Sequence, residues 1–370
     1  MSFYCICRRA VRIAAFSIAA AFLCVLPVAA AVNAEGKLQI YFVDVEGGQA
    51  TLFVSPDHHS LLIDTGWPGN DGRDADRIVA AMKQAGLSRI DTLLLTHYHD
   101  DHVGGVPQLL ARIPVGSFVD HGPNREIDGG VTQHGYDLYQ QQLATRKYKH
   151  VTAKPGDALP SVGFDATVIS ADGKLIDHSV SGGGETNPYC AASAPRAADE
   201  TENARSLGIL LRFGKLKILD LGDLTWDKEM ELMCPTNRLG HIDLLVVSHH
   251  GWYQSSSPAL VDAITPEVAI MDNGATKGGS TPTLDTLRKA SRLQTLWQLH
   301  YSEEGGAGHN TDAAYIANLK GPMPGHTDAG YYLQVTADRD GKFSVFNSRT
   351  GQSTQYIAHV NVKPERQPRL

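Results

Sequence analysis

Cysteine is scarce in this chain and is not arranged to hold a metal. Five cysteines occur among 370 residues, and none forms a CxxC pair. Any bound ion must therefore rest on histidines and carboxylates. Three of the five, Cys5, Cys7 and Cys24, lie in the first 34 residues, which leaves Cys190 and Cys234 for the rest. Basic residues are also in deficit, with 33 Lys and Arg against 40 Asp and Glu. A chain with that balance gains nothing from counterion release on a polyphosphate, which argues against a nucleic-acid coat lacking a local basic patch. No internal repeat and no second block of distinct composition is present, so a solenoid or a tandem array is excluded.

Long apolar runs are almost absent too. The exception, Ile13 to Val28, falls short of the about 20 residues of a membrane span. Arg8, Arg9 and Arg12 precede it, and Ala29-Ala30-Ala31-Val32-Asn33-Ala34 follows. A positive start, an apolar stretch and small residues make a secretory signal peptide over residues 1–34, cut after Ala31 or Ala34. An uncleaved anchor is the weaker alternative. Leu23-Cys24 lacks the small residue of a lipoprotein signal, and the residues after Arg8-Arg9 fit a twin-arginine signal poorly. Removing the segment takes three arginines and no acid, leaving 30 basic residues against 40 acidic, a net of −10. The expectation is an exported protein, periplasmic or secreted, with no membrane attachment after cleavage. In an oxidising compartment Cys190 and Cys234 could pair or stay as a buried free pair; the sequence leaves both open.

The remainder is expected to be one domain over 35–350 with a tail over 351–370. Val- and Ile-rich runs at Leu38–Asp44, Ala50–Val54 and Ser60–Asp64, separated by Gly47-Gly48 and Pro56-Asp57, read as strands. Ile78, Val79, Met82 and Ala85 have helical spacing within Asp74–Ala85, and Gly86 ends that helix. Ile90–Leu95 reads as a buried strand leading into a histidine-rich loop, and Val103–Ile113 as a helix. The alternation is that of a layered α/β fold. The stretch 123–204 is polar and glycine-rich and is expected to be a long loop or insertion walling the site. Strands resume at Ser206–Phe213, Lys217–Leu221, Ile242–Ser248, Val268–Met271 and Thr295–Leu299, with a helix around Thr283–Ser291. Tyr331–Val335 and Lys342–Asn347, joined through Arg339-Asp340-Gly341, predict a closing hairpin.

The chemistry concentrates in Thr96-His97-Tyr98-His99-Asp100-Asp101-His102. In an extended segment residues i and i+2 point the same way, so His97 and His99 can face one ion. The turn into the next helix swings Asp101 and His102 toward a second ion, and Gly104-Gly105 let the backbone turn beneath them. His121, His134, His178, His300 and His309 remain as possible pocket residues, although a lone histidine is more often a satisfied or surface residue.

These residues match the HxHxDH signature, and the chain resembles the metallo-β-lactamase superfamily. Asp64-Thr65-Gly66, Gly222-Asp223 and the strand-end His249-His250-Gly251 are similar to that family's other elements. Phe42-Val-Asp-Val-Glu-Gly-Gly-Gln49 and Glu202-Asn203…Ser206-Leu207 are most similar to the competence-protein (ComEC-type) group. The resemblance covers about Leu38 to Leu299 and implies a four-layer αββα fold, two mixed sheets between helices. It implies His97 and His99 at a first ion, Asp101, His102 and His249 at a second, and Asp223 bridging. His249 is favoured over His250 as the ligand because it is the first residue past the apolar run; His250 would line the pocket and assist catalysis beside Asp101. Asp64 would orient the metal loop from behind.

Two departures stand out. Asn203 lies where many relatives carry a third histidine for the first ion, so that site is expected to be weak, with Asn203 supporting it. Gln49 stands where the group often has an aspartate. Two divalent ions are expected, zinc first, with manganese or iron admitted; they would bring a water's pKa toward neutrality and supply a hydroxide nucleophile. The expected activity is hydrolysis of a phosphodiester or related phosphate ester, on a small or short substrate and without a stable nucleic-acid complex. Hydrolysis of a lactone, thioester or β-lactam on the same site is the alternative, followed by an iron-dependent sulfur dioxygenase and, last, a non-catalytic binding protein.

Overall fold

Short Val/Ile-rich runs alternating with amphipathic segments build two mixed sheets with helices on their outer faces. This is seen in a computed structural model that describes residues 1–2, 36–127, 129–146, 148–159, 163–321 and 329–359. The expected signal segment, apart from its first two residues, lies outside the described residues. So does the end of the expected tail, 360–370.

The chain forms β1 (Leu38–Phe42), β2 (Thr51–Val54), β3 (Ser60–Ile63), α1 (Arg73–Gln84), β4 (Ile90–Leu94), α2 (Asp100–Val103), α3 (Val106–Leu110) and β5 (Val115–Asp120). Next come α4 (Val131–Arg146), β6 (Lys149–Thr152), β7 (Asp165–Ala171), β8 (Lys174–Leu175), β9 (Glu185–Thr186), β10 (Gly208–Phe213) and β11 (Leu216–Asp220). They are followed by α5 (Trp226–Met233), β12 (Thr236–Asn237), β13 (Leu244–Val246), α6 (Pro258–Ile264), β14 (Val268–Met271), α7 (Thr281–Lys289) and β15 (Thr295–His300). The last elements are α8 (Gly306–His309), β16 (Ile316–Asn318), β17 (Leu333–Ala337), β18 (Lys342–Asn347) and β19 (Gln352–Ile357).

The first sheet has the order β19-β18-β17-β1-β2-β3-β4-β5-β6, parallel from β3 to β6 and antiparallel elsewhere. The second has the order β16-β15-β14-β13-β11-β10-β7-β8, parallel from β11 to β16. Between the sheets, Ile40, Phe53, Ile63 and Leu94 of the first share a core with Ile209, Ile218, Val246 and Ile270 of the second. On the far side of the first sheet lie Ile78 and Met82 of α1, Leu109 of α3 and Tyr139 of α4. On the far side of the second lie Leu232 of α5, Leu260 and Ile264 of α6, and Leu284 and Leu287 of α7. The order is helix, sheet, sheet, helix. Burial on both faces explains why the central parallel strands β3, β13 and β14 are continuous apolar runs rather than alternating ones. Truncating one of these fully buried side chains to alanine costs about 2–5 kcal/mol.

Three expectations need correction. The stretch 123–204 is not one long loop, since it contains α4, β6, β7, β8 and β9. Tyr136, Tyr139 and Leu143 of α4 sit three and seven positions apart and pack on the core around Phe118. Tyr139 also donates to Asp120 Oδ2 at 2.8 Å. That stripe was hidden among glutamines and threonines. The expected helix Val103–Ile113 is broken into α2 and α3, and α2 begins already at Asp100. Close packing requires glycine at the junction: a Cβ on Gly104 would lie 2.3 Å from Pro68 Cδ, and one on Gly105 2.2 Å from the Thr65 carbonyl oxygen. Finally, the residues assigned to the tail from 351 include β19, which pairs antiparallel with β18.

Cys190 and Cys234 are disulfide-bonded with their Cα atoms 5.8 Å apart, tying the turn Pro188–Ala192 to the end of α5. For their sequence separation of 44, chain-entropy reasoning gives about 4 kcal/mol of stabilisation.

Candidate metal centre

β3 and β4 run parallel, and each is followed within two residues by a polar side chain, Asp64 and Thr96. Asp64, just past β3, has a left-handed backbone (φ 58), which turns its carboxylate under the next strand end. Its Oδ1 accepts from Thr96 N at 2.8 Å, and its Oδ2 accepts from Thr96 Oγ1 at 2.6 Å and faces His102 Nδ1 at 2.7 Å. With Nδ1 engaged there, His102 directs Nε2 inward. A carboxylate behind an imidazole fixes both its tautomer and its orientation. Asp272, just after β14, does the same for His250 through Nδ1 at 3.2 Å.

Four ligand atoms then converge. Single donors from Asp101, His102, Asp223 and His250 all lie within 4.8 Å of one another, and all four residues are buried. His102 Nε2 is 3.3 Å from Asp101 Oδ2, 3.3 Å from Asp223 Oδ2 and 3.2 Å from His250 Nε2. His250 Nε2 is 3.1 Å from Asp101 Oδ2 and 3.5 Å from Asp223 Oδ1. Two imidazole nitrogens aimed at each other between two carboxylates make a donor set suited to a divalent ion.

Of the paired histidines it is His250, not the expected His249, that enters this group. β13 ends at Val246, and both His249 (φ 56) and His250 (φ 53) are left-handed inside the turn Ser248–Gly251. Non-glycine residues held there cost of order 1–3 kcal/mol each and cluster at functional sites. The turn carries His250 into the four-atom group and leaves His249 outside it. His249 Nε2 lies 3.5 Å from Asp223 Oδ2 and 3.5 Å from Asn203 Nδ2.

The expected first position is looser. His97 Nε2 is fully buried, has no hydrogen-bond partner among the described residues, and stands 3.9 Å from Asp223 Oδ2. His99 Nε2 is engaged by Glu126 Oε2 at 3.1 Å. Asn203 Oδ1 is likewise buried with no hydrogen-bond partner among the described residues. Asp223 thus faces His97, His102 and His249 with one oxygen and His250 with the other. The orphaned atoms fit a second ion, but fewer donors converge on it.

The charges separate the two positions. Burial opposes a proton on His250, yet the Asp223 and Asp272 carboxylates outweigh it and push the imidazole up to about 10. His102 is likewise raised, against burial, by Asp223, Asp101 and Asp64. Burial keeps His97 well below the usual histidine range, helped by His102 and His99, and takes His249 down to about 4. Asp101 and Asp223 are both held low despite burial, Asp101 by Lys277 and His102, Asp223 by His250 and His102.

A family profile, the metallo-beta-lactamase superfamily, matches residues 43–189, which span the histidine loop. The match places residues 43–189 in the metallo-beta-lactamase superfamily. Recombination protein 2 of Haemophilus influenzae is 25% identical over 259 residues, covering 70% of this chain and 27% of that one. Competence protein ComA of Neisseria gonorrhoeae is 24% identical over 251 residues, covering 67% and 29%. Hydroxyacylglutathione hydrolase of Stenotrophomonas maltophilia is 43% identical over 113 residues, covering 30% and 40%. The chain therefore spans between 27% and 40% of the length of these relatives.

Within this metallo-beta-lactamase domain the departure at Gln49 has a local reason. Gln49 Nε2 donates to the buried Asp220 Oδ2 at 2.7 Å, and burial pushes Asp220 up to about 7. A second carboxylate there would be repelled. Of the spare histidines, His134 and His178 are exposed and His309 pairs with Asp285. His121 is buried, with Nε2 on Glu202 at 3.0 Å, beside a cleft of about 390 Å³ that Lys154 and Lys174 also line. His300 forms a separate group with Asp44 and Glu46. The Arg77 guanidinium already contacts Asp44 at 3.1 Å, so that group has a cation of its own. Asp272, Glu126 and Lys277 escaped the sequence reading. For Asp272 a signal existed: like Asp64, it is a carboxylate immediately after a buried strand.

Proposed function

We propose that this chain is a metal-dependent hydrolase acting on an ester that bears negative charge, a phosphodiester before others, outside the cytoplasm. The convergence of Asp101, His102, Asp223 and His250 carries the reading. Bound divalent ions would supply an acidified water near neutral pH and positive charge for the oxygen that becomes anionic. The protein's part is placement. Asp64 and Asp272 hold the two imidazoles with Nε2 inward, Asp101 and Asp223 offset the ionic charge, and Asp223 is placed to be shared. His249, kept neutral by burial, stands at the edge as a hydrogen-bonding partner. Two histidines and two carboxylates suit zinc, while the Asn203 oxygen near the looser position admits manganese or iron.

The longest matches, to proteins named for recombination and competence, support a phosphodiester. The net charge supports a small or short substrate over a stable nucleic-acid complex. The Cys190–Cys234 bond supports an oxidising compartment, and no helix among the described residues is long and apolar enough to cross a membrane. A second reading, hydrolysis of a thioester or another carbonyl ester, is favoured by the 43% identity to the hydroxyacylglutathione hydrolase.

The deciding experiment is metal analysis of periplasm-expressed protein together with a panel of bis-p-nitrophenyl phosphate, single-stranded DNA, a thioester, a lactone and a chromogenic cephalosporin. Turnover of the phosphodiester is expected. Turnover confined to carbonyl esters would move the assignment to the second reading, and absence of both metal and turnover would reject a hydrolase.

A further inference from the structure

Lys277 lies in the turn after β14, where residues 273–279 cross the mouth of the converged group. That turn is built to hold its shape. Gly274 N donates to the Lys277 carbonyl at 2.8 Å, and Gly279 N donates to the His250 carbonyl at 2.9 Å. Asn273 Nδ2 donates to the carbonyls of Gly274 and His300 at 2.9 and 2.8 Å. The facing loop, Glu46 to Gln49, touches it directly. A Cβ on Gly47 would lie 2.8 Å from Gly274 N, and one on Gly278 would lie 2.1 Å from the His250 carbonyl oxygen. Glycine at 47 lets the facing loop meet the turn, and glycine at 278 lets the turn meet the backbone of His250.

The lysine ends up at a defined place. Its ammonium contacts Asp101 Oδ2, donates to the Gly47 carbonyl at 2.8 Å, and stands 4.9 Å from the centre of the Trp67 ring. The side chain is 31% exposed whereas that of Asp101 is 8% exposed, so the lysine reaches from solvent onto a buried carboxylate. The oxygen it contacts is also the one that faces His102 and His250. An ammonium on that oxygen draws on its lone-pair charge and repels a divalent ion beside it, so the lysine's hold on Asp101 opposes binding of the ion.

We propose that Lys277 competes with the metal ion for Asp101 and, once displaced, is the cation that selects substrates with an anionic oxygen beside the scissile bond. The second half rests on the hydrolytic reading given above; the first does not. A lysine gives a compact, mobile point charge with three donors. Tethered by a rigid turn and backed by the Trp67 face, it stays at the rim when it leaves Asp101. A phosphate ester fits such a charge, and a neutral ester gains nothing from it.

The first test needs no turnover. Dissociation constants for Mn²⁺ or Zn²⁺ are measured by competition with a chelating dye for the wild type, Lys277→Met and Lys277→Arg. Loss of the competing ammonium should tighten the ion bound beside Asp101 about tenfold, the methionine variant alone gaining. An unchanged or weaker constant in Lys277→Met, with melting temperature preserved, overturns the competition. If Lys277→Met does not fold, Lys277→Gln replaces it under the same criterion. In the second test, ion-loaded protein is given bis-p-nitrophenyl phosphate and neutral p-nitrophenyl acetate. Lys277→Met should raise KM for the phosphodiester about tenfold with kcat within threefold, leave the acetate KM unchanged, and be partly rescued by arginine. Equal losses on both esters overturn the selectivity. If wild type turns over neither ester, the hydrolytic reading fails on its own. Inorganic phosphate binding, read by Trp67 fluorescence, then decides for Lys277. Loaded wild type should bind phosphate about tenfold more tightly than Lys277→Met, and equal binding rejects the role.

Discussion

The two ion positions share Asp223 yet are constructed differently. At the converged position each histidine has a carboxylate behind it, Asp64 for His102 and Asp272 for His250, and its inward nitrogen sits among acids. At the looser position His97 has no partner on Nε2, His99 faces away toward Glu126, and Asn203 occupies the neighbourhood of a further donor. One position is held in shape by hydrogen bonds before any ion arrives. The other has to be gathered by the ion itself, and that gathering costs ordering free energy. Unequal affinity for ions is the expected outcome, set by geometry rather than by the number of histidines.

The comparison can be broken at its shared member. Asp223→Ala should strip both ions and lower hydrolysis by about a thousandfold, equivalent to about 4 kcal/mol. His97→Ala should lose only the weaker ion. Metal counting on both variants checks this, and an equal loss from both would make the positions equivalent. Asp272→Asn sharpens the contrast. It should weaken the tighter ion by about 10–100-fold, the usual cost of losing a carboxylate behind a metal histidine, while leaving the weaker constant alone; isothermal titration resolves the two.

Acidity offers a third lever. An ion must displace protons from its ligands. His250, raised to about 10, and His102, also raised, carry protons that the lowered His97 and His249 do not. The tighter ion's apparent constant should therefore improve by about tenfold per pH unit for each proton displaced, and the weaker ion's should change less from pH 7 to 9, through His99 alone, which its hydrogen bond to Glu126 raises despite burial. The ion-free chain runs the other way. His250 has a folded pKa above its unfolded value of about 6.5, so its stabilisation is complete below that pH and is lost as pH rises through about 10. Thermal melts with and without chelator should diverge as pH rises, and parallel curves would contradict the assignment. The smallest effect is expected from Glu126→Gln. Loosening its hold on His99 should tighten the weaker ion by about threefold, a change on the scale of one partly exposed ion pair.

Much of this centre was legible from residue order. The histidine loop after an apolar strand, Asp64 at the preceding strand end and Gly222-Asp223 are local signals, and the strands that present them are apolar runs bounded by glycine and proline. What was not legible depends on chain direction or on distant neighbours. The choice between His249 and His250 turns on two left-handed residues that an extended reading of the strand end does not anticipate. Lys277 meets Asp101 across 176 positions through a glycine contact, and Glu126 meets His99 from the loop before a helix whose apolar stripe is made mostly of tyrosines. The β19 strand escaped for another reason: it is a largely exposed edge strand, so no buried face marked it.

The placing of β1 has a consequence for the unfinished chain. β1 is hydrogen-bonded to β2 on one side and to β17 on the other, and the whole second sheet is threaded between those two partners. Until residues beyond 333 are available, the strand Leu-Gln-Ile-Tyr-Phe therefore has an open edge, apolar and bare of charge. Open edges of that kind recruit other strands. Partial chains, whether nascent or truncated ahead of β17, should be the aggregating species of this protein, and the closing hairpin is what silences them.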